Sequence, residues 1–358
     1  MNTVKQFFTV ILVALLYLIS HISLAAPAPT DSSGSTEELL YTVKKNDTVW
    51  GICKTYVNDP MCWKKLVEYN HLANPKYLPP KSTIRIPKTW LINSPTTALV
   101  IAVEGDVLVV RKGSTVEFQL KVGDQLSQQD VVKSMNGTAM IKFSDDSRLL
   151  LKANSTIRMA SLQFYNSSQL VNTRVELLKG RVKAQVEKLS NKNSSYEIST
   201  PAAVAAVRGT DFRVARAESE AGEPVVMRTE LLTGALQVSS NINQQNITAG
   251  QAVMAVEGKG VAEPVELLPR PLMALNSNES FNLPLNFTWL AIEGAISYKI
   301  TLMTNDAQVW EKVSVQPEVL IEDIDPGNYQ LLIRGVDKQG FEGRNRHLNL
   351  NFSAAEMP

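Results

Sequence analysis

Hydrophobic and polar positions alternate with two different periods along this chain. Between residues 40 and 90 the period changes every few residues. Tyr41-Thr42-Val43 alternates as a strand does, and Val49, Ile52, Cys53 and Tyr56 then recur at helical spacing. Trp63, Leu66 and Val67 start a second helical run that carries to Tyr69, and Ile84-Arg85-Ile86 alternates again. The breaks carry chemical signals of their own. Asp47-Thr48 offers a side-chain oxygen to the free N–H groups of a helix start. Asn58-Asp59-Pro60 interrupts the helical pattern, and Asn74-Pro75 and Pro79-Pro80 force an irregular loop. The predicted order is strand, helix, helix, strand, a βααβ module near the lower size at which a domain holds its own core.

From Ala98 to about Leu268 the period settles at two. Val107–Val110, Ala139–Phe143, Arg148–Leu151 and Arg181–Val186 alternate, with turns signalled at Lys112-Gly113, Gly123-Asp124, Asn136-Gly137 and Asp145-Asp146. Weak repetition accompanies the alternation. Glu176-Leu177-Leu178-Lys179-Gly180 is echoed by Glu230-Leu231-Leu232-Thr233-Gly234, and Val122-Gly123-Asp124-Gln125 by Ala249-Gly250-Gln251. Repeated strand-turn units suggest stacked coils of a β-solenoid, and a β-sandwich competes. A last all-β segment spans 280–354. Its strands centre on Phe287-Thr288-Trp289, Tyr298–Leu302 and Tyr329–Arg334, with a hairpin turn at Asp337–Gly340. Residues 26–39, Asn93–Thr97 and Leu272–Asn278 read as linkers between these parts.

Composition narrows the chemistry. The 358 residues carry 36 Lys and Arg against 35 Asp and Glu, interspersed, so the basic stripe of a nucleic-acid protein is missing. Residues 1–25 read as a secretory signal: Lys5, an apolar run from Phe7 to Ile19, and small residues at Ser23 and Ala25. Export to a periplasm or cell envelope permits a disulfide between Cys53 and Cys62, the chain's two cysteines. Two reduced thiols filling a core is the alternative. The three histidines lie far apart, and no P-loop, H-E-x-x-H or G-x-S-x-G occurs. No enzyme activity, metal or cofactor is therefore expected.

Tyr41–Pro87 resembles a LysM module. Asp47-Thr48-Val49-Trp50 stands at that family's D-T-L-W start, and Tyr69-Asn70, Asn74-Pro75 and Ile84-Arg85-Ile86-Pro87 stand at its later landmarks. The resemblance implies binding to N-acetylglucosamine-containing glycan, most often peptidoglycan. The implied groove takes Asp47, Thr48 and Val49 from one loop and Asn74, Tyr77 and Leu78 from the other. Asn46 and Lys81 stand where the family usually has glycine. Lysine tolerates a positive φ poorly, so the turn before the last strand is expected to differ.

Residues 98–268 are similar to a FecR-type domain, through Val122-Gly123-Asp124, the strand pair through Asp146, a Leu178-Lys179-Gly180 turn, and Val207-Arg208-Gly209-Thr210-Asp211-Phe212. That resemblance implies an extracytoplasmic β-rich domain of signalling regulators. Only Met1–Gln6 precedes the apolar run, so scaffolding or contact with an envelope protein is expected here rather than direct transcriptional control. Arg208, Thr210 and Asp211 form either a partner-contact site or a buried turn network. The last segment resembles a fibronectin type III-like sandwich, with Trp289 in its core and Tyr329 as a tyrosine corner. The expectation is a non-catalytic peptidoglycan-binding protein that tethers β-rich contact domains to the wall. A periplasmic signalling scaffold acting on a membrane sensor or transporter is the alternative.

Overall fold

The structure is a computed structural model. It describes residues 38–352 apart from 58, 166, 169, 188–193, 208, 218–221, 274–279 and 305–306. The signal segment, most of the two outer linkers and Arg208 thus lie outside the described residues.

The N-terminal part has the expected order: β1 (Glu38–Thr42), α1 (Val49–Tyr56), α2 (Cys62–Tyr69) and β2 (Thr83–Pro87), with β1 and β2 antiparallel and Tyr41 opposite Ile84. Thr48 caps α1, accepting the Gly51 N–H at 3.0 Å, because its extended backbone turns the hydroxyl toward the free end of the helix. Val49, Ile52 and Cys53 face inward as their spacing predicts. In α2 the buried stripe begins one residue earlier than the apolar pattern suggests. Cys62 and Leu66 are buried four residues apart, and Trp63 is turned out, 40% exposed. The reason is covalent: Cys62 is bonded to Cys53, with Cα atoms 5.8 Å apart, and this fixes which face of α2 meets α1. Closing a loop with a sequence separation of 9 is worth about 2–3 kcal/mol in the chain-entropy view. Urea unfolding followed by tryptophan fluorescence should show a Cys53→Ala/Cys62→Ala double variant weakened by that amount.

The middle of the chain forms two sheets packed face to face over one apolar core that includes Tyr196, Phe212, Ile141 and Leu149. Its strands enter each sheet largely in chain order, as in stacked coils, yet nearly all neighbours are antiparallel, as in a sandwich. Both expected architectures therefore describe part of what is seen. One strand, Leu170–Gln185, belongs to both sheets. Residues 170–179 pair with Ser155–Tyr165 in the front sheet, and 180–185 pair with Asp211–Arg216 in the back sheet. This shared strand joins the ladders into one closed network.

The crossing occurs at Gly180, at φ +82°. The expected Leu178-Lys179-Gly180 turn is thus a corner within one continuous strand. The echo at Gly234, φ +84°, sits where the chain leaves the back sheet after Val226–Thr233 and enters the front sheet at Ala235–Ser239. The weak sequence repeat marks sheet switching.

The C-terminal part is a sandwich of a five-stranded and a two-stranded sheet around Phe287, Trp289, Tyr298 and Ile333. The Tyr329 hydroxyl donates to the Asp325 carbonyl at 2.8 Å, so it closes the corner as its spacing predicts.

The expected linker at Asn93–Thr97 does not behave as a tether. Ser94–Pro95 pairs with Gln163–Phe164 at the edge of the front sheet, and Tyr165 and Leu170 complete the core of the N-terminal module. Beyond residue 268, the C-terminal sandwich lays its five-stranded sheet on the outer face of the back sheet. The chain folds as a docked body.

Candidate functional site

The two loops of the implied groove are held side by side by backbone bonds. Val43 N–H donates to the Ser82 carbonyl, and Lys81 N–H donates to the Val43 carbonyl, both at 2.8 Å. In the turn before β2, lysine does take up a positive φ. Asn46 and Lys81 both adopt the left-handed conformation, at φ +71° and +73°. For Lys81 this costs about 1–2 kcal/mol of local strain, borne by the two bonds that clamp its loop to Val43. The glycine geometry is kept without the glycines.

Side-chain directions divide the six groove residues. Val49 and Leu78 are core, 2% and 4% exposed, and can present only backbone groups to a ligand. The Asp47 carboxylate is occupied internally: it accepts the Tyr41 hydroxyl and the Lys44 N–H, each at 2.7 Å. Burial first and then Asp47 push the Tyr41 phenol well above its ordinary range, so that proton stays on Tyr41. Thr48, Asn74 and Tyr77 remain exposed. Asn74 uses its Oδ1 on the Lys76 N–H at 3.0 Å, which leaves its amide nitrogen outward. Tyr77, 65% exposed, offers a flat apolar ring with a polar tip. The three exposed side chains thus offer a hydroxyl, an amide nitrogen and an aromatic ring.

Asn70 has a different task. Its side chain donates to the Arg85 carbonyl at 2.8 Å and accepts the Arg85 N–H at 2.7 Å, acting as a missing strand beside β2. The Tyr69-Asn70 landmark is therefore a structural clamp.

Thr210 and Asp211 sit at the start of a back-sheet strand. Thr210 is buried and exchanges backbone bonds with Val186 at 2.8 and 3.0 Å. Asp211 pairs with Lys183 at 3.3 Å. Both are engaged within the fold, and Arg208 lies outside the described residues.

A second charged assembly was not anticipated. On the outer face of the back sheet, cross-strand neighbours Lys183, Arg213 and Glu230 stand in a row, with Arg181 beside them. The five-stranded sheet meets them with Lys299, Glu311 and Arg334, and the hairpin beyond Asp337 inserts Glu342 between the layers. Glu342, 1% exposed, pairs with Lys299 at 2.7 Å, with Arg213 at 3.4 Å, and with Arg181 and Arg334. Burial alone would raise the pKa of its carboxyl, but these four cations hold it well below the usual range. Arg213 is itself 4% exposed and donates to the Gly343 carbonyl at 2.8 Å. The signal for this assembly was present in the sequence as charged residues at the outward positions of alternating strands. That pattern ordinarily means solvent.

Residues 41–87 match the LysM domain model, and residues 129–228 match the model described as FecR protein. The chain carries a LysM domain and a FecR domain. A curated relative, an uncharacterized protein of Deinococcus radiodurans, is 37% identical over 57 residues, which is 16% of this chain and 22% of that protein. Among solved structures, a protein described as an anti-sigma factor from Parabacteroides distasonis is 15% identical, over 37% of this chain and 57% of its own, with a TM-score of 0.30. The extracellular domain of a one-component system from B. thetaiotaomicron is 11% identical, over 60% of this chain and 36% of its own, at 0.17. The chain thus spans less than two thirds of each. The Cys53–Cys62 bridge belongs to the LysM domain, and the charged assembly lies on the back sheet of the β-rich body that contains the FecR domain. Among the described residues no helix is long and apolar enough to cross a membrane.

Proposed function

We propose that this protein is a non-catalytic component of the bacterial envelope whose LysM domain grips N-acetylglucosamine-containing glycan of peptidoglycan and so holds the FecR domain and the C-terminal sandwich at the wall. One observation carries the reading. Backbone bonds join the two LysM loops, which leave Thr48, Asn74 and Tyr77 exposed, and Asn46 and Lys81 adopt positive φ where the usual pattern has glycine. Asp47 supports that surface from behind, and Val49 and Leu78 offer it backbone groups. A single shallow sugar site of this kind binds at a dissociation constant of about 0.1–1 mM, with tighter holding only through several copies. Because the parts are docked on one another, wall binding sets the orientation of the whole body as well as its location.

Co-sedimentation with insoluble sacculi tests the proposal. Deleting residues 41–87 would strip the cover from Tyr165 and Leu170, so an exposed double variant, Asn74→Ala/Tyr77→Ala, is the better comparison. Wild-type protein should pellet, and the variant should lose about tenfold in affinity, equivalent to about 1.4 kcal/mol. Equal pelleting of the two proteins would remove the glycan reading.

A second reading, in which the FecR domain contacts a membrane sensor or transporter, gains support from a different surface. Among the described residues the strand Glu117–Gln119 pairs on one side only, with Leu108–Val110, and Val116, Phe118 and Val122 around it are more than half exposed. An open strand edge with apolar neighbours is a natural place for a partner strand to add.

A further inference from the structure

Between the back sheet and the C-terminal sandwich lies a pocket of about 100 Å³. It is roomy enough for water or one small ion. Its charged lining is uneven. Lys152, Arg181, Lys183, Arg213 and Arg334 contribute to the wall, and among the described residues Glu342 is the one carboxylate that does so. Neighbouring charges do not restore the balance. Lys299 stands behind the wall with Glu230, Glu311 and Asp211, which makes six cations to four carboxylates among these described residues. The carboxylates are already engaged: Glu311 with Lys152 at 2.6 Å, Glu230 with Arg213 at 2.6 Å, Asp211 with Lys183, and Glu342 with four partners. A positive surplus in a largely buried region is costly unless an anion joins it.

Three further observations agree. Burial, with Arg334 adding to it, pushes the Lys152 ammonium down to about 8 against the attraction of Glu311. Burial and the Lys183 and Arg270 charges likewise lower His347, whose carboxylate neighbour Asp211 only partly opposes them. Asn345, nine-tenths buried, lines the same pocket with its amide oxygen unpaired. A half-turn of that amide would present N–H donors to a guest. The pocket also has a way in, since Gln330 is exposed and Lys183 is about one third exposed at its wall.

We propose that this pocket is a binding site for one small oxyanion, of phosphate or carboxylate type, which neutralises the surplus charge and locks the C-terminal sandwich onto the back sheet. The geometry suits an oxyanion because guanidinium and ammonium groups converge from both layers, and each can turn a remaining N–H toward a shared acceptor. A bound anion would make docking of the two layers respond to its concentration. A free ion and the acidic end of a partner peptide share this chemistry.

Thermal unfolding of the full chain tests the site, with inorganic phosphate, acetate and chloride compared at equal ionic strength. Phosphate or acetate should raise the melting temperature saturably by at least about 3 °C over chloride. A response to phosphate alone assigns a tetrahedral guest, and a response to acetate assigns a carboxylate. Lys152→Met and Lys183→Met should each abolish the difference. Lys183→Met is the safer of the two for folding because Lys183 lies nearer to solvent. Identical curves in all three salts would overturn the proposal. So would a phosphate or acetate response that survives unchanged in both variants.

Discussion

Glu342→Gln is expected to weaken docking of the C-terminal sandwich by about 3–5 kcal/mol, although the two side chains have nearly the same shape. The glutamine keeps one acceptor but removes the negative charge on which Arg181, Arg213, Lys299 and Arg334 converge. Burying cations without their counter-charge is far more expensive than burying the pair, which sets the magnitude. Two backbone bonds report the event directly. Glu342 N–H donates to Glu230 at 2.7 Å, and Arg344 N–H donates to the Leu268 carbonyl at 2.9 Å, both across the interface. Hydrogen exchange at these amides should accelerate in the variant by a hundredfold or more, while amides in the front sheet stay unchanged. The pH dependence has a definite sign. The folded-state carboxyl of Glu342 titrates well below its ordinary value of 4.5, so its contribution is fully present above that pH and is lost as the pH falls through the depressed range. Acid should therefore undock the wild-type layers, and the glutamine variant should lack most of that slope. Unchanged exchange at Glu342 and Arg344 would show that the charges are not what joins the layers.

The same residues explain where the sequence was readable. Period and capping located the LysM elements almost to the residue, because Thr48, Val49 and Ile52 are decided by local geometry. Alternation likewise placed Val182 and Ala184 inside and Arg181 and Lys183 outside, and the structure agrees. What could not be read locally is what lies beyond the outside. Charged outward faces signal solvent in an isolated sheet, and here a second sheet of complementary charge covers them. The linker expected at Asn93–Thr97 failed for a related reason. Ser94–Pro95 looks like a spacer by composition, yet its backbone groups find partners on Gln163 and Phe164, and no local pattern announces a partner some seventy positions away. In the groove, polarity marked the right stretch but not the direction of each side chain. Val49 and Leu78 are adjacent to exposed groove residues and still point into the core. Lys81 is the reverse case: its residue type argues against the turn, and clamping bonds to Val43 impose it.

Gly180→Ala should be among the most damaging single-methyl changes in the β-rich body, costing about 3–5 kcal/mol. Two effects add. At φ +82° any side chain is strained, and the new Cβ would lie 2.4 Å from Ser155 Oγ and 2.5 Å from the Asn154 carbonyl oxygen. Neither neighbour is free to move. The Ser155 hydroxyl accepts the Arg181 N–H at 2.9 Å, and the Asn154 N–H is tied to the Met135 carbonyl at 2.7 Å. Gly113 provides the control: its φ is +74°, but nothing lies within 4 Å of an added Cβ. Gly113→Ala should therefore cost only the conformational strain, about 1–2 kcal/mol. The difference between the two variants in urea unfolding isolates the packing at the corner. A large difference means that the chain can pass from the front to the back sheet only where backbone approaches backbone without a side chain between. Because residues 180–185 carry Arg181 and Lys183 into the charged interface, a displaced corner would also disturb that interface and the layer docked on it. Equal losses at Gly180 and Gly113 would mean that the strand tolerates a bend elsewhere and that the sheet-switching corner does not control the architecture.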